Sequence, residues 1–258
     1  MKRPQFTPGR SCLLVVALSG LIIGALLFSN LTRSVGNISS FGLCSLASVK
    51  ARAAAEYAAT PTQLQSILHY ATSKIVPQQS LAEISVTFDV LKTRSPCNLL
   101  VFGLGFDSLM WTSLNPHGTT LFLEEDPKWV QTIVKNAPSL NAHTVQYRTQ
   151  LKEANILLKT YRSYEKEWDL IMIDAPRGYF PEAPGRMAAI FSAVVMARGR
   201  KGSGVTHVFL HDVNRRVEKM FAEEFLCRKY LVKAVGRLWH FEIPPASNAS
   251  QTSDGRFC

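Results

Sequence analysis

Gly103 and Gly105 close an apolar run, Leu99 to Gly105 (LLVFGLG). Acids close the next two runs: Glu124, Glu125 and Asp126 after Thr119 to Leu123, and Asp174 after Leu170 to Ile173. A fourth run, Val205 to Leu210, ends on His211-Asp212. Glycines let a chain turn tightly and approach a ligand where a side chain would block it. Between a strand and a helix, such a turn can also aim backbone amides at an anionic or polar group. An acid about 20 residues further on commonly accepts hydrogen bonds from ribose hydroxyls. Strand side chains alternate, so one of Glu124 and Glu125 faces the ligand. Glu125 is the reading preferred here, with Glu124 free to bond the following amides. An acid in this place disfavours the 2′-phosphate of NADP without separating NAD from S-adenosylmethionine.

Asp174 is followed by Ala175-Pro176-Arg177-Gly178. A carboxylate delivered by a rigid strand onto a Pro/Gly loop can meet substrate, cofactor or metal. His211 titrates in the range of a general base, and Asp212 can orient it or bind a cation. The three residues could also form a small oxygen-rich metal site around Asp174 and Asp212. Arg177 and Arg186 offer planar two-donor forks that suit a uronate, or equally surface salt bridges. Trp111, Trp129 and Trp239 read as packing residues rather than sugar platforms.

These residues need an alternating frame to bring them together. Thr60-Pro61 starts a helix carrying Leu64, Ile67, Leu68 and Ala71. A second helix spans Leu81 to Lys92 and stops at Ser95-Pro96. Strand 99–103 then leads to a short helix from Asp107 to Leu114, closed by Asn115-Pro116 and a His117-Gly118 turn. Strand 119–124 leads to a helix capped by Asp126-Pro127. A third strand is expected over His143 to Tyr147, a helix from Leu151 to about Tyr161, and a strand at Leu170 to Ile173. Helix 185–198, strand 205–210 and helix 217–225 follow. Leu231 to Val235 and Leu238 to Ile243 read as an antiparallel pair around Gly236. The pattern is α/β: a doubly wound, mainly parallel sheet whose strand ends form a crevice.

The 258 residues suffice for one well-buried domain with additions. Lys2, Arg3 and Arg10 precede an uncharged stretch, Cys12 to Phe28, long enough to span a thin bilayer. The positive charge on its leading side favours a cytosolic amino terminus and a luminal body; a cleaved signal peptide is the competing reading. The expected organisation is a tail at 1–11, an anchor at 12–28, a stem at 29–60, a catalytic-type domain at 61–245 and a loose tail at 246–258. Asn37 and Asn248 head glycosylation triplets suited to a lumen, and Asn30 sits too near the membrane to be modified. The five cysteines lack a Cys-x-x-Cys pair, which supports neither a zinc finger nor a dithiol motif; unpaired thiols are expected, with a luminal disulfide left open. The net charge of +10 suits an acidic polymer, and the compartment makes nucleic acid the wrong partner.

Four long strings carry a family resemblance: Val101 to Trp111 (VFGLGFDSLMW), Leu121 to Trp129 (LFLEEDPKW), Trp168 to Arg186 (WDLIMIDAPRGYFPEAPGR) and His207 to Arg215 (HVFLHDVNR). From about Thr62 to Pro245 the chain resembles the plant DUF579 polysaccharide-biosynthesis family, nearest to its irregular-xylem-fifteen and fifteen-like branch. The resemblance implies a class I methyltransferase-like domain in a single-pass type II Golgi membrane protein of glucuronoxylan biosynthesis in secondary walls. One branch of that family comprises glucuronoxylan 4-O-methyltransferases, which use S-adenosylmethionine to methylate O4 of glucuronic acid side groups. The resemblance implies cofactor binding for Gly103, Gly105 and Glu125 and places Asp174, His211 and Asp212 at the catalytic rim; substrate binding by Arg177 and Arg186 rests on guanidinium chemistry. The alternatives are an active methyltransferase and a non-catalytic scaffold of a xylan-synthesising complex, an NAD-dependent oxidoreductase being the remotest reading. Two departures stand out. Class I methyltransferases commonly carry an acid two residues before the first glycine and a third glycine two after the second, where this chain has Val101 and Asp107. Relatives also carry a longer, cysteine-bearing segment where this chain runs directly from Tyr161 to Glu165.

Overall fold

The computed structural model describes residues 59–151, 166–246 and 258. The expected anchor at 12–28, the stem, nearly all of the helix expected at 151–161 and the sites at Asn37 and Asn248 lie outside the described residues. Among those described, no helix is long and apolar enough to cross a membrane.

Two capped helices lead into the sheet: α1 (Pro61–Thr72) and α2 (Leu81–Arg94). Thr60 with Gln63, and Ser80 with Glu83, each form a reciprocal capping box that satisfies the first free amides. The core then alternates as β1 (Asn98–Phe102), α3 (Ser108–Ser113), β2 (Thr119–Glu124), α4 (Pro127–Asn136) and β3 (Ala142–Thr144). It continues with β4 (Leu170–Ile173), α5 (Met187–Arg198), β5 (Thr206–Leu210), α6 (Arg216–Phe221), β6 (Leu231–Val235) and β7 (Leu238–Ile243). The seven strands make one sheet in the order β3-β2-β1-β4-β5-β7-β6, parallel through β5 and antiparallel at β7 and β6. This is the class I methyltransferase-like, Rossmann-like α/β arrangement expected from the sequence.

The central strands are buried on both faces, which is why they read as unbroken apolar runs. Leu100, Phe102, Ile171, Ile173, Val208 and Leu210 pack under α5 and α6. Leu99, Val101, Leu170, Met172 and Phe209 face the other way, in one core with Val86 and Leu91 of α2, Trp111 of α3 and Ile133 of α4. Between β1 and β2, Asn115 accepts from Cys97 N (3.0 Å) and donates to Cys97 O (3.0 Å) and Thr120 Oγ1 (3.1 Å). The helix-stopping Asn115-Pro116 pair therefore also ties the starts of two strands together.

Three details differ from expectation. β3 ends at Thr144 because Val145 N donates the last ladder bond to Glu124 O (2.8 Å), after which the chain leaves the sheet. The helix expected through Phe225 is α-helical only to Phe221; a π-helical turn, Ala222–Cys227, follows and buries Ala222, Phe225, Leu226 and Cys227. Among the described residues, Cys227 is bonded to Cys258, with their Cα atoms 5.4 Å apart, so for this pair the expectation of unpaired thiols gives way to a disulfide, while Cys97 is a buried free thiol. A spacing of 31 residues carries no pairing signal of its own.

Asn115→Ala strands the backbone amide of buried Cys97, whose carbonyl keeps its bond from Thr119 N. The expected loss is about 1–3 kcal/mol of unfolding free energy, read from urea denaturation.

Candidate active site

The carboxyl ends of β1, β2, β4 and β5 open onto a cleft of about 600 Å³. Its lining includes Gly103, Gly105, Asp107, Glu125, Asp174 and Arg177. Gly103 has φ +126°, and a β-carbon there would lie 3.2 Å from Ala175 Cβ, so glycine is required for both conformation and space. A β-carbon on Gly105 would meet Asp107 Oδ1 at 2.8 Å.

The amides of the glycine turn itself, residues 103–105, are bonded within the protein, contrary to the sequence reading. Gly103 N donates to Leu123 O (2.8 Å), Leu104 N to Glu124 Oε2 (3.1 Å) and Gly105 N to Ser108 Oγ (2.9 Å). What the loop presents is shape and the Asp107 carboxyl. Asp107 occupies the place of the usual third glycine, at the start of α3, and accepts from Trp111 Nε1 (2.8 Å). Burial, and then the charge of Asp174, push its pKa up.

Glu124 and Glu125 divide as alternation requires. Glu124 is buried and braces Leu104 N and Asp126 N. Glu125 Oε1 accepts from Arg177 N (3.1 Å) and Nε (2.8 Å), while its Oε2 has no hydrogen-bond partner. That oxygen is itself buried, although the residue borders the cleft. Phe106 and Trp129 stand edge to face at 5.3 Å beside it, and Trp129 Nε1 donates to Leu104 O (2.6 Å). Trp111 is buried and, like Trp129, borders the cleft.

At the other end, Asp174 is held on three sides. His211 Nδ1 (2.9 Å) and Arg186 Nη2 (3.1 Å) meet Oδ1, and Gln79 Nε2 donates to Oδ2 (3.2 Å). Burial raises its pKa, but the His211 hydrogen bond and the Arg186 charge outweigh that and hold the carboxyl below its ordinary range. His211 is completely buried and does not line the cleft, so it acts on Asp174 and not on a substrate. Its Nε2 lies 3.7 Å from Glu83 Oε1, whose pKa is lowered: burial opposes, and bonds from Ser80 and Arg237 amides prevail.

Asp212 sits at φ +60° and pairs with three arginines: Arg186 and Arg215 at Oδ2 (2.8 Å each), Arg237 at Oδ1 (2.7 Å). Arg186 is 4% exposed. Besides these carboxylates, it donates from Nη1 to His211 O (2.6 Å) and from Nη2 to Asp174 O. Its fork is spent inside the protein, so the reading of Arg186 as a uronate clamp is replaced by a role in holding Asp174 and Asp212. Ligand atoms of Asp174, His211 and Asp212 lie within 4.8 Å of one another. The Arg186 guanidinium already bridges the two carboxylates, so this donor set does not fit a metal ion as arranged. Arg177 is half exposed on the rim, and Arg215 also lines the cleft.

The family model described as IRX15/IRX15L/GXM matches residues 82–166 and 162–241. The chain belongs to this family. Two Arabidopsis thaliana proteins, arabinogalactan O-methyltransferases 2 and 1, are each 58% identical to it; the first match covers 100% of this chain and 96% of the relative. Glucuronoxylan 4-O-methyltransferase 1 of the same plant is 46% identical over 75% of this chain and 78% of the relative. Protein IRREGULAR XYLEM 15 is 35% identical, over 75% and 70%. Among solved structures, the O-methyltransferase TomG from Streptomyces achromogenes in complex with SAM is 13% identical with a TM-score of 0.44, covering 77% of this chain and 96% of that one. The first alignment runs over 287 positions against 258 residues, so at least 287 − 258 = 29 fall in gaps of this chain. The family match breaks into two blocks that meet at 162–166, where the sequence reading placed the missing segment.

Sequence reasoning placed Arg215 at the rim and noted Asp107 only as a departure from the glycine pattern. It overlooked Glu218 and, from a segment far away in sequence, Gln79 and Glu83. Glu218 is 1% exposed, its carboxylate oxygens lack hydrogen-bond partners, and Arg215 Nη1 is 3.8 Å away. Burial pushes its pKa up. A raised folded-state pKa means that stability falls as pH rises from the unfolded value through the folded one. Glu218→Gln removes that penalty. The variant's advantage in urea midpoint over the parent is therefore expected to grow with pH above about 4.5 and then level off.

Proposed function

We propose that the cleft binds S-adenosylmethionine and that the protein methylates a hydroxyl of a cell-wall polysaccharide. The sign of the lining carries this reading. The carboxylates of Asp107, Glu124, Glu125, Asp126, Asp174 and Asp212 outnumber the guanidiniums of Arg177, Arg186 and Arg215, while the amides of Gly103, Leu104 and Gly105 are already bonded. A dinucleotide pyrophosphate needs donors at that loop and would meet Asp107. S-adenosylmethionine brings a sulfonium and an ammonium, which suit it.

Glu125, at the end of β2, would take a ribose hydroxyl, and Phe106 with Trp129 would wall the nucleoside. When bound, the cofactor supplies an electrophilic methyl group for in-line attack by the sugar oxygen. Asp174 stands at the adjoining strand end as the acceptor of the hydroxyl proton, and His211 and Gln79 fix its orientation. Arg177, half exposed on the rim, is the guanidinium placed for an acidic sugar. The 58% identity to two proteins named for arabinogalactan favours that polymer as acceptor. Glucuronoxylan, named for relatives at 46–47%, is the second acceptor to assay. The setting we infer is a Golgi membrane, with residues 12–28 as a type II anchor, the domain in the lumen and Asn37 and Asn248 glycosylated. The Cys227–Cys258 bond supports an oxidising lumen.

Calorimetric titration of the folded protein with S-adenosylmethionine is expected to give saturable heat that Gly105→Asp abolishes; no heat from the parent overturns the cofactor reading. With labelled cofactor and either polysaccharide, Asp174→Asn is expected to lower kcat by about 10²–10⁴-fold while retaining cofactor binding. The split of the family match at 162–166 favours one rival, a non-catalytic scaffold of a xylan-synthesising complex. That rival requires Asp174→Ala protein, accumulating normally, to restore wall polysaccharide in mutant plants.

A further inference from the structure

A second cluster of ligand-type side chains lies away from the cleft, where the parallel sheet meets its reversed strands. In the antiparallel register His207 of β5 stands opposite Glu242 of β7, and Phe209 opposite His240. Alternation puts all four side chains on the face covered by α2, which packs on β6 and β7. His207 belongs to the start of β5 and His211 follows its end. Four residues at about 3.3 Å each separate the two sites by roughly 13 Å.

The rings of His207 and His240 are 5% and 4% exposed. His207 Nδ1 is 3.1 Å from His240 Nε2 and 3.7 Å from Glu242 Oε1, and the three ligand atoms lie within 4.8 Å of one another. Bonds of about 2.0–2.1 Å to a tetrahedral zinc ion put neighbouring ligand atoms roughly 3.3 Å apart. The cluster spans that spacing without backbone movement. Within the protein alone the facing atoms share a single hydrogen bond, between two buried rings, and Glu242 is beyond hydrogen-bond reach of His207. Glu242, whose side chain is 43% exposed, opens the site to solvent for entry and for a water as fourth ligand. Phe209 stacks on His240 with centroids 4.4 Å apart and fixes that ring. The charged neighbours are Lys233, Arg94 and the Arg200–Asp169 pair.

We propose that His207, His240 and Glu242 bind a divalent transition-metal ion of the zinc type, as a structural clamp between β5 and β7. The Asp174, His211 and Asp212 group differs in kind, because an arginine already stands among its carboxylates.

The test uses the full-length chain, stripped with chelator and titrated with Zn²⁺ against a chromophoric competitor. About one zinc per chain is expected, with X-ray absorption showing two imidazoles among its ligands. Glu242→Gln, a partly exposed and nearly isosteric change, is expected to weaken zinc binding at least about tenfold, since even outer-shell losses cost 10–100-fold. Asp174→Asn is expected to leave it unchanged. Failure to bind zinc, binding unaffected by Glu242→Gln, or binding lost in Asp174→Asn each overturns the proposal. The absorption measurement on the parent decides the ligands even if a histidine variant fails to fold.

Discussion

The site hangs on one buried cation. Arg186 enters just before α5 and reaches under the ends of β4 and β5, where its guanidinium holds the carboxylates of Asp174 and Asp212 and the carbonyls of Asp174 and His211. Two acids on neighbouring parallel strands would repel one another at that separation. The guanidinium neutralises them and, being planar, also fixes their orientation. Removing one partner of such a buried arrangement costs about 3–5 kcal/mol, because the remaining charges are left uncompensated.

From that clamp the order of the site spreads outward. Asp174, fixed by Arg186, His211 and Gln79, is presented to the cleft as a carboxylate. Asp212 gathers Arg215 and Arg237, and Arg237 extends the connection by donating its amide to Glu83 at 2.6 Å. Glu83 also closes the capping box of α2, so a helix cap, a β-turn and the acid end of the sheet share one hydrogen-bonded network. The opposite wall of the cleft works by different means. There Glu124 braces the glycine loop from beneath, and Glu125 holds the Arg177 loop with one oxygen. One half of the cleft is positioned by a buried cation and the other by carboxylates bonded to backbone amides.

On the proposed function, acids outnumbering arginines in the cleft would let a glycine turn whose own amides are bonded serve a cationic nucleoside cofactor. Gly103 supplies a left-handed backbone conformation and room against Ala175. Asp107, by replacing the third glycine, adds charge of the sign that a sulfonium cofactor requires. What looked like a weakened motif is a change in the sign of the loop.

Much of the frame was legible in the sequence because it depends on local rules. Apolar runs of four to six residues must be buried on both faces; Thr60-Pro61, Ser80 and Asp126-Pro127 cap helices through bonds within three residues; and alternation alone separates Glu124 from Glu125. Family membership was legible too, since long strings of residues carry it. Tertiary structure decided the roles of residues whose partners are remote. Arg186 reads as a free fork until two strand ends meet it, and His211 reads as an exposed base until α2 covers it. Gln79 lies 95 residues from the Asp174 it orients, and Cys227 31 residues from Cys258. Spacing along a chain fixes which side of a strand or helix a residue occupies. Whether a charge there meets solvent or a buried partner depends on packing between elements, and that had to be seen in three dimensions.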